Sequence, residues 1–250
     1  MREHKTAAVT AGILYIVGTV SGVLCKVLVQ FPVRDADDPL AYAAEHRDLV
    51  VTGALLVLVM GMALVFVPVV LFPVLRRVDE VLAIGYLTVR GAVEAACYII
   101  SATALLLLVP VGDVLAAGEG TATAGGVRLG MLMVDFDAMN TVTALVFCLG
   151  GVMFYALLYR SGIVPRWIAV WGLAGIPFYV AAYVLAAYAV IGPSSATLNL
   201  LVLPLALQEM VLGIWMIARG FRPARGATVS RAADVARAGV QASGSPPRHV

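Results

Sequence analysis

The sequence predicts an all-α fold, a polytopic transmembrane bundle of six helices with N- and C-termini in the cytoplasm. Three observations predict it. Of the 250 residues, 62% are hydrophobic and only 13% are charged, against about 25% charged in a soluble domain. The charge that remains is bunched, so that long apolar runs alternate with short polar stretches, the pattern of a multi-pass membrane chain. Lys and Arg also collect on alternate connections. Arg2, Lys5, Arg76, Arg77, Arg160 and Arg166 fall on one side, joined by six arginines from Arg219 onward. Only Arg34, Arg47 and Arg128 fall on the other, and the positive-inside rule places the richer side in the cytoplasm.

The first span is Ala7 to Leu28. Its apolar run is too long for the h-region of a signal peptide, and no A-x-A site follows, so it reads as an uncleaved helix. The Gly18-x-x-x-Gly22 ridge within it offers another helix a close approach. Lys26 lies near the outer end, where its stem reaches the headgroups. Gln30 to Asp48 reads as a polar outer loop carrying Asp35, Asp37, Asp38, Glu45, His46 and Asp48. It lacks the glycine and the distal glutamate of an EF-hand, so a solvated loop is expected rather than a calcium site.

Leu49 to Leu75 is the second span, with Pro68 and Pro73 in its later half, where they free carbonyls or kink the helix. The third runs from about Val81 to Val109 and is closed by Pro110 and Gly112. A Gly/Ala/Thr-rich loop follows. The fourth span is about Ala138 to Tyr159. Asp135 and Asp137 stand at its outer mouth, where carboxylates suit the helix dipole, and Asn140 lies one turn further in. After the tight connector Ser161 to Arg166, Trp167 and Trp171 occupy the position of an aromatic belt. The fifth span covers Val164 to Ile191 with Pro177 near its centre. The sixth covers Leu198 to Ala218 with Pro204, Gln208 and Glu209 in its middle. One transmembrane domain over residues 1–222 and a disordered cytoplasmic tail over 223–250 are expected. The arginines at 219, 222 and 225 each add ~1 kcal/mol of attraction to an anionic leaflet.

The chemistry concentrates in the third and sixth spans. Arg90 and Glu94 are four apart, share one helical face and can pair. Cys97, Ser101 and Leu105 extend that face and Tyr98 lies beside it. An unpaired charge at the bilayer centre costs ~2.5–3.5 kcal/mol on insertion scales, so these residues are expected to turn inward. Glu209 carries the same burden. Pro204, five residues before it, leaves the carbonyl of Leu200 without a partner and favours a kink beside an acid. Arg90, Glu94 and Glu209, with Gln208 and Tyr98, are therefore expected to form one polar cluster inside the bundle. Two acids and one arginine would leave it a net negative charge if all were ionised, which the low dielectric of the interior disfavours, so one of the two acids is expected to hold a proton.

Several functions are excluded. His4, His46 and His249 lie at the ends and in one loop, so no helix assembles a histidine metal site or a His-based triad. Cys25, Cys97 and Cys148 sit in apolar runs and read as small buried hydrophobes. Neither a phosphate-binding nor a dinucleotide-binding glycine pattern occurs, and a net charge of +2 does not call for nucleic acid. No metal and no cofactor is expected.

The pattern resembles the bacterial membrane proteins grouped as the domain of unknown function 4386 family. The residues that carry the likeness are AGILYIVGTVSG in the first span, Arg90-x-x-x-Glu94, SGIVPRWIAVWGLAG from Ser161, and LPLALQEMVLGIWMIARGF from Leu203 to Phe221. It covers roughly Ala7 to Phe221. The resemblance implies a multi-helix integral membrane protein and supplies no substrate.

The favoured reading is a small transporter or permease of the bacterial cytoplasmic (inner) membrane that uses the Arg/Glu cluster. Its partners are then the lipid bilayer and a small molecule or ion. One alternative is a structural or regulatory subunit without turnover, with a homo-oligomer or another membrane protein as partner through the Gly18/Gly22 ridge and the basic tail. The other is an intramembrane lipid-acting enzyme using Asp135 and Asp137, for which no partner with usable spacing is present.

Overall fold

The computed structural model describes residues 2–36, 38–116, 136–192 and 195–221, and every regular element among them is helical. In chain order these are α1 (Arg2–Cys25), a π-helical turn (Lys26–Gln30), α2 (Phe31–Asp35), α3 (Pro39–Glu45), α4 (Arg47–Leu75) and α5 (Glu80–Thr88). A second π-helical turn (Val89–Val93), α6 (Glu94–Ala116), α7 (Phe136–Ser161), α8 (Arg166–Ala187) and α9 (Ala196–Arg219) follow. The π turns join their neighbours into continuous rods. Six rods are long and apolar enough to cross a membrane: Lys5–Asp35, Arg47–Leu75, Glu80–Val114, Asn140–Ser161, Arg166–Ala187 and Ala196–Arg219. Each presents large apolar side chains outward, among them Ile13, Met62, Ile99, Leu149, Phe178 and Ile214. Apolar surface of this extent suits lipid and not water.

The polar stretch after the first span departs from the expected loop. The first rod continues through the π turn to Asp35, and α3 adds another helix, capped by Asp38, whose carboxylate accepts from the backbone N–H groups of Leu40 and Ala41. The π turn precedes Pro32, whose ring crowds the carbonyl of Leu28, and the wider turn relieves that clash. The third rod also outlasts its expected end. Pro110 lies inside α6, because a proline frees one carbonyl and the turn beyond it is held from outside. Gly112 sits so close to α3 that an added Cβ would lie 2.6 Å from the Leu40 carbonyl oxygen. The 117–132 connection and the 223–250 tail lie outside the described residues.

The rods form a closed ring. α1 packs on α4, α4 on α6, the α5–α6 rod on α7, α7 on α8, α8 on α9, and α9 returns to α1. Gly12 and Gly213 make the last contact, each facing the other's backbone carbonyl. The Gly18/Gly22 ridge is consumed inside the chain. Leu64 and Met60 of α4 occupy the space where Cβ atoms at Gly18 and Gly22 would stand.

The two ends of the ring differ. At the end where α1 begins, one apolar core takes residues from all six rods, including Tyr15, Leu71, Tyr86, Phe154, Ile168 and Leu212. At the opposite end the core divides. One part joins α1, α2, α3, α4 and α6 around Val29, Ala54 and Leu105. The other joins α7, α8 and α9 around Ala144, Ala182 and Leu198. The undivided end also carries Trp167, which is exposed and stacks on Trp171, and an ion pair between Arg160 and Asp79.

Candidate functional site

The polar centre lies where the common core gives way to the two separate ones. Arg90 touches Tyr15 of the common core, while Glu94 is bonded by Tyr98, which belongs to the divided end. Local geometry puts these residues in line. Tyr86, Arg90, Glu94, Tyr98 and Ala102 follow in steps of four. On a regular α-helix four such steps drift by about 160° round the axis. The π turn at Val89–Val93, in which the Glu94 N–H bonds to the Val89 carbonyl, inserts one residue and takes back about 100° of that drift. All five residues are consequently buried on one face.

Arg90 and Glu94 are 2% and 0% exposed and are joined by an ion pair at 3.2 Å. Nη1 of Arg90 donates to Oε1 of Glu94, and the hydroxyl of Tyr98 donates to the same oxygen at 2.5 Å. Nη2 of Arg90 reaches the Tyr15 hydroxyl at 3.4 Å. The guanidinium lies over the ring of Phe147, 4.6 Å from its centroid, a cation–π contact on a third side. Two atoms keep unused hydrogen-bonding capacity: Nε of Arg90 and Oε2 of Glu94 are buried without a hydrogen bond. The stem of Arg90 passes α7 at Gly150, where a Cβ would stand 2.6 Å from Cγ and 2.9 Å from Cδ. Glycine is needed there for that close approach.

Glu209 is placed differently. It enters from α9 and interacts electrostatically with Arg90 and Glu94. It is coupled in the same way to the hydroxyls of Tyr15 on α1, Tyr155 on α7 and Tyr179 on α8. Among the described residues it makes no hydrogen bond and no ion pair, and it is half-buried. The amide nitrogen of its neighbour Gln208 donates to the Ile168 carbonyl at 3.0 Å and ties α9 to α8, while its Oε1 is buried without a hydrogen bond.

Asn140 is half-buried near the start of α7. Asp137 belongs to the first turn of that helix, and Asp135 lies outside the described residues. No group of three or more His, Cys, Asp or Glu side chains suited to a metal occurs among the described residues. Tyr15, Phe147 and Gly150 are members of the centre that sequence reasoning missed. They stand 75, 57 and 60 positions from Arg90, and only the ring order brings their helices against it.

No curated protein and no solved structure matches the chain. A family model described as "Domain of unknown function (DUF4386)" matches residues 10–220, a stretch that contains all six rods except the first few residues of the first and nothing of the 223–250 tail. A match over that share of the sequence decides membership, and the chain belongs to the DUF4386 family.

Proposed function

We propose that this chain is a small permease of the bacterial cytoplasmic membrane, working on a small molecule or ion at the centre formed by Arg90, Glu94, Tyr98 and Glu209. The observation that carries the reading is the state of Glu209. It is an acid in the middle of a spanning helix, half-buried, with no hydrogen bond or ion pair among the described residues. An ionisable group inside a membrane is costly and marks a pathway or binding site unless it is neutralised by its neighbours. The Arg90–Glu94 pair neutralises itself and leaves Glu209 over. The position of the centre, at the boundary between a shared core and a divided one, supports access from the divided end.

The distribution of Lys and Arg supports cytoplasmic termini, which would turn the divided end outward. Fluorescent-protein fusions following Arg77 and Arg219 are expected to fluoresce and phosphatase fusions there to stay inactive. The opposite result would sink this orientation. Transport is tested in proteoliposomes with an entrapped pH dye under an imposed potential. Glu209→Gln is expected to reduce proton flux to the background of empty vesicles while the protein stays folded, and equal flux from wild type and variant would remove the permease reading.

The subunit alternative loses one of its motives, since the Gly18/Gly22 ridge is already occupied by α4.

A further inference from the structure

The outside of the ring carries a groove between α1 and α4, far from the polar centre in character. Its volume is about 560 Å³. Leu14 and Val17 form one wall, and Leu55, Leu58, Met62 and Phe66 the other. Ala63 lies in its floor, 5% exposed. Every side chain that lines the groove is apolar, and both walls belong to rods long enough to cross a membrane. The outer face of α4 leads from this groove to a pair of charges. Leu55, Val59, Met62, Phe66, Val69 and Pro73 are all exposed and follow in alternating steps of four and three. Such a repeat stays on one stripe, with a drift of only ~20° per seven residues. The next step of three lands on Arg76, which keeps helical backbone angles, and Arg77 stands beside it. Both arginines are exposed. Arg76 rests over the Phe72 ring, 5.9 Å from its centroid, a contact that uses its face and not its N–H groups. Neither arginine makes an ion pair among the described residues, and of the two acids that follow, Asp79 and Glu80, the first is held by Arg160 at 2.6 Å.

We propose that this stripe is a binding site for an anionic phospholipid. Arg76 and Arg77 hold the phosphate, one acyl chain runs down over Pro73 and Val69, and the end of that chain lies in the α1/α4 groove. The lengths agree. Arg77 to Phe66 is ~16 Å at the rise of an α-helix, and one leaflet of hydrocarbon is ~15 Å, half of the core. Basic residues at the headgroup level of a spanning helix attract anionic lipid. A second copy of this chain suits the face less well. Helix contacts within a membrane use small residues, and those of α1 and α4 are consumed inside the ring. Leu64 fills the place at Gly18, Met60 that at Gly22, Val29 that at Gly53 and Tyr98 that at Gly61. Two copies joined here in the same orientation would also bring their arginine pairs to one depth, like charge against like. The site is independent of Glu209 and of any transport through the ring.

Native mass spectrometry of the purified full chain, titrated with dioleoyl phosphatidylglycerol and with dioleoyl phosphatidylcholine, reads both halves of the site. The acyl chains are identical and the headgroup charge differs. Phosphatidylglycerol is expected to bind about tenfold or more tightly than phosphatidylcholine, since each arginine near an anionic headgroup contributes about fivefold. Arg76→Gln combined with Arg77→Gln is expected to bring the two lipids to parity, and Arg76→Lys with Arg77→Lys to keep the preference. Ala63→Leu fills the floor of the groove and is expected to weaken both lipids by about threefold or more through lost packing contacts, with the preference unchanged. Size-exclusion profiles and helical circular dichroism check that each variant is folded. Where Ala63→Leu is not, Leu58→Trp fills the groove from its exposed rim and is read in the same way. Inorganic phosphate, which has the charge without the chain, is expected not to displace the lipid. Equal binding of the two lipids by wild type, an undiminished preference in the double glutamine variant, wild-type affinity in a folded groove variant, or displacement by inorganic phosphate would each overturn the proposal. A dimer that the groove variant dissolves would overturn it too, in favour of a second copy on this face.

Discussion

Glu94 and Glu209 are the two acids in the middle of spanning helices, and their surroundings could hardly differ more. Glu94 is wholly buried, paired with Arg90 and bonded by Tyr98. Glu209 has no hydrogen bond or ion pair among the described residues and is half-buried. The same side chain is paired and hydrogen-bonded in one helix and has no hydrogen bond or ion pair among the described residues in the other. Burial of a charge is tolerated when a partner and hydrogen bonds replace water, and removing one member of such a pair leaves the other stranded. An unpartnered acid has no such dependents. The comparison predicts that changes at Glu94 and its supports act on stability, whereas changes at Glu209 act on function.

Breaking the clamp gives the largest effect. Arg90→Ala leaves Glu94 buried and unpaired and is expected to cost about 3–5 kcal/mol, read as a fall in the unfolding midpoint in detergent. Replacing both residues together, Arg90→Met with Glu94→Leu, is expected to recover most of that loss. A double variant as unstable as the single one would show that the pair's charge is not what matters. Tyr98→Phe keeps the ring and removes the hydroxyl that donates to Glu94, a charge-assisted bond whose loss is expected to cost roughly 1.5–3 kcal/mol. Gly150→Ala forces a methyl group against the stem of Arg90 and is expected to cost about 1–3 kcal/mol through overpacking. If Arg90→Met relieves that cost when combined with Gly150→Ala, the contact with the stem is its source.

The smaller effects sharpen the contrast. Glu209→Gln is expected to leave the unfolding midpoint close to that of wild type, and a drop comparable to that of Arg90→Ala would mean that Glu209 is a second clamp. Asp79, outside the spans, gives a mild pH dependence. The Leu82 backbone N–H holds its carboxyl below the usual range, and Arg160 adds to this at 2.6 Å. A depressed carboxyl contributes stability at neutral pH that is present above its unfolded value and lost as pH falls through the folded one. Its share should therefore disappear below about pH 4. Asp79→Asn is expected to flatten that part of the stability profile slightly.

Much of the fold was legible in the sequence, for a physical reason. A lipid-crossing helix must be long and apolar on its own, so each span announces itself in a local window. The pairing of Arg90 with Glu94 was legible too, because four residues along a helix is a local distance. Helix ends were read less well. Pro110 and the acidic residues near Asp38 look like breaks in composition, but α3 and α6 support one another there. The third rod also hides a π turn that no proline marks. Its trace is the run of four-residue steps through Arg90, Glu94 and Tyr98, which keeps to one face only if the helix widens.

What the sequence by itself determined is the number of spans, their order, the presence of intramembrane charge and one pair within it. The tertiary structure alone decided which helices are neighbours. Lipid tails are as apolar as leucine, so hydropathy carries no information about which helix packs on which, and small-residue contacts and polar links choose instead. That choice used Gly18 and Gly22 for α4, placed Gly150 and Phe147 against Arg90, and tied Gln208 to the backbone of α8. Glu209, one residue further along α9, makes no hydrogen bond or ion pair among the described residues.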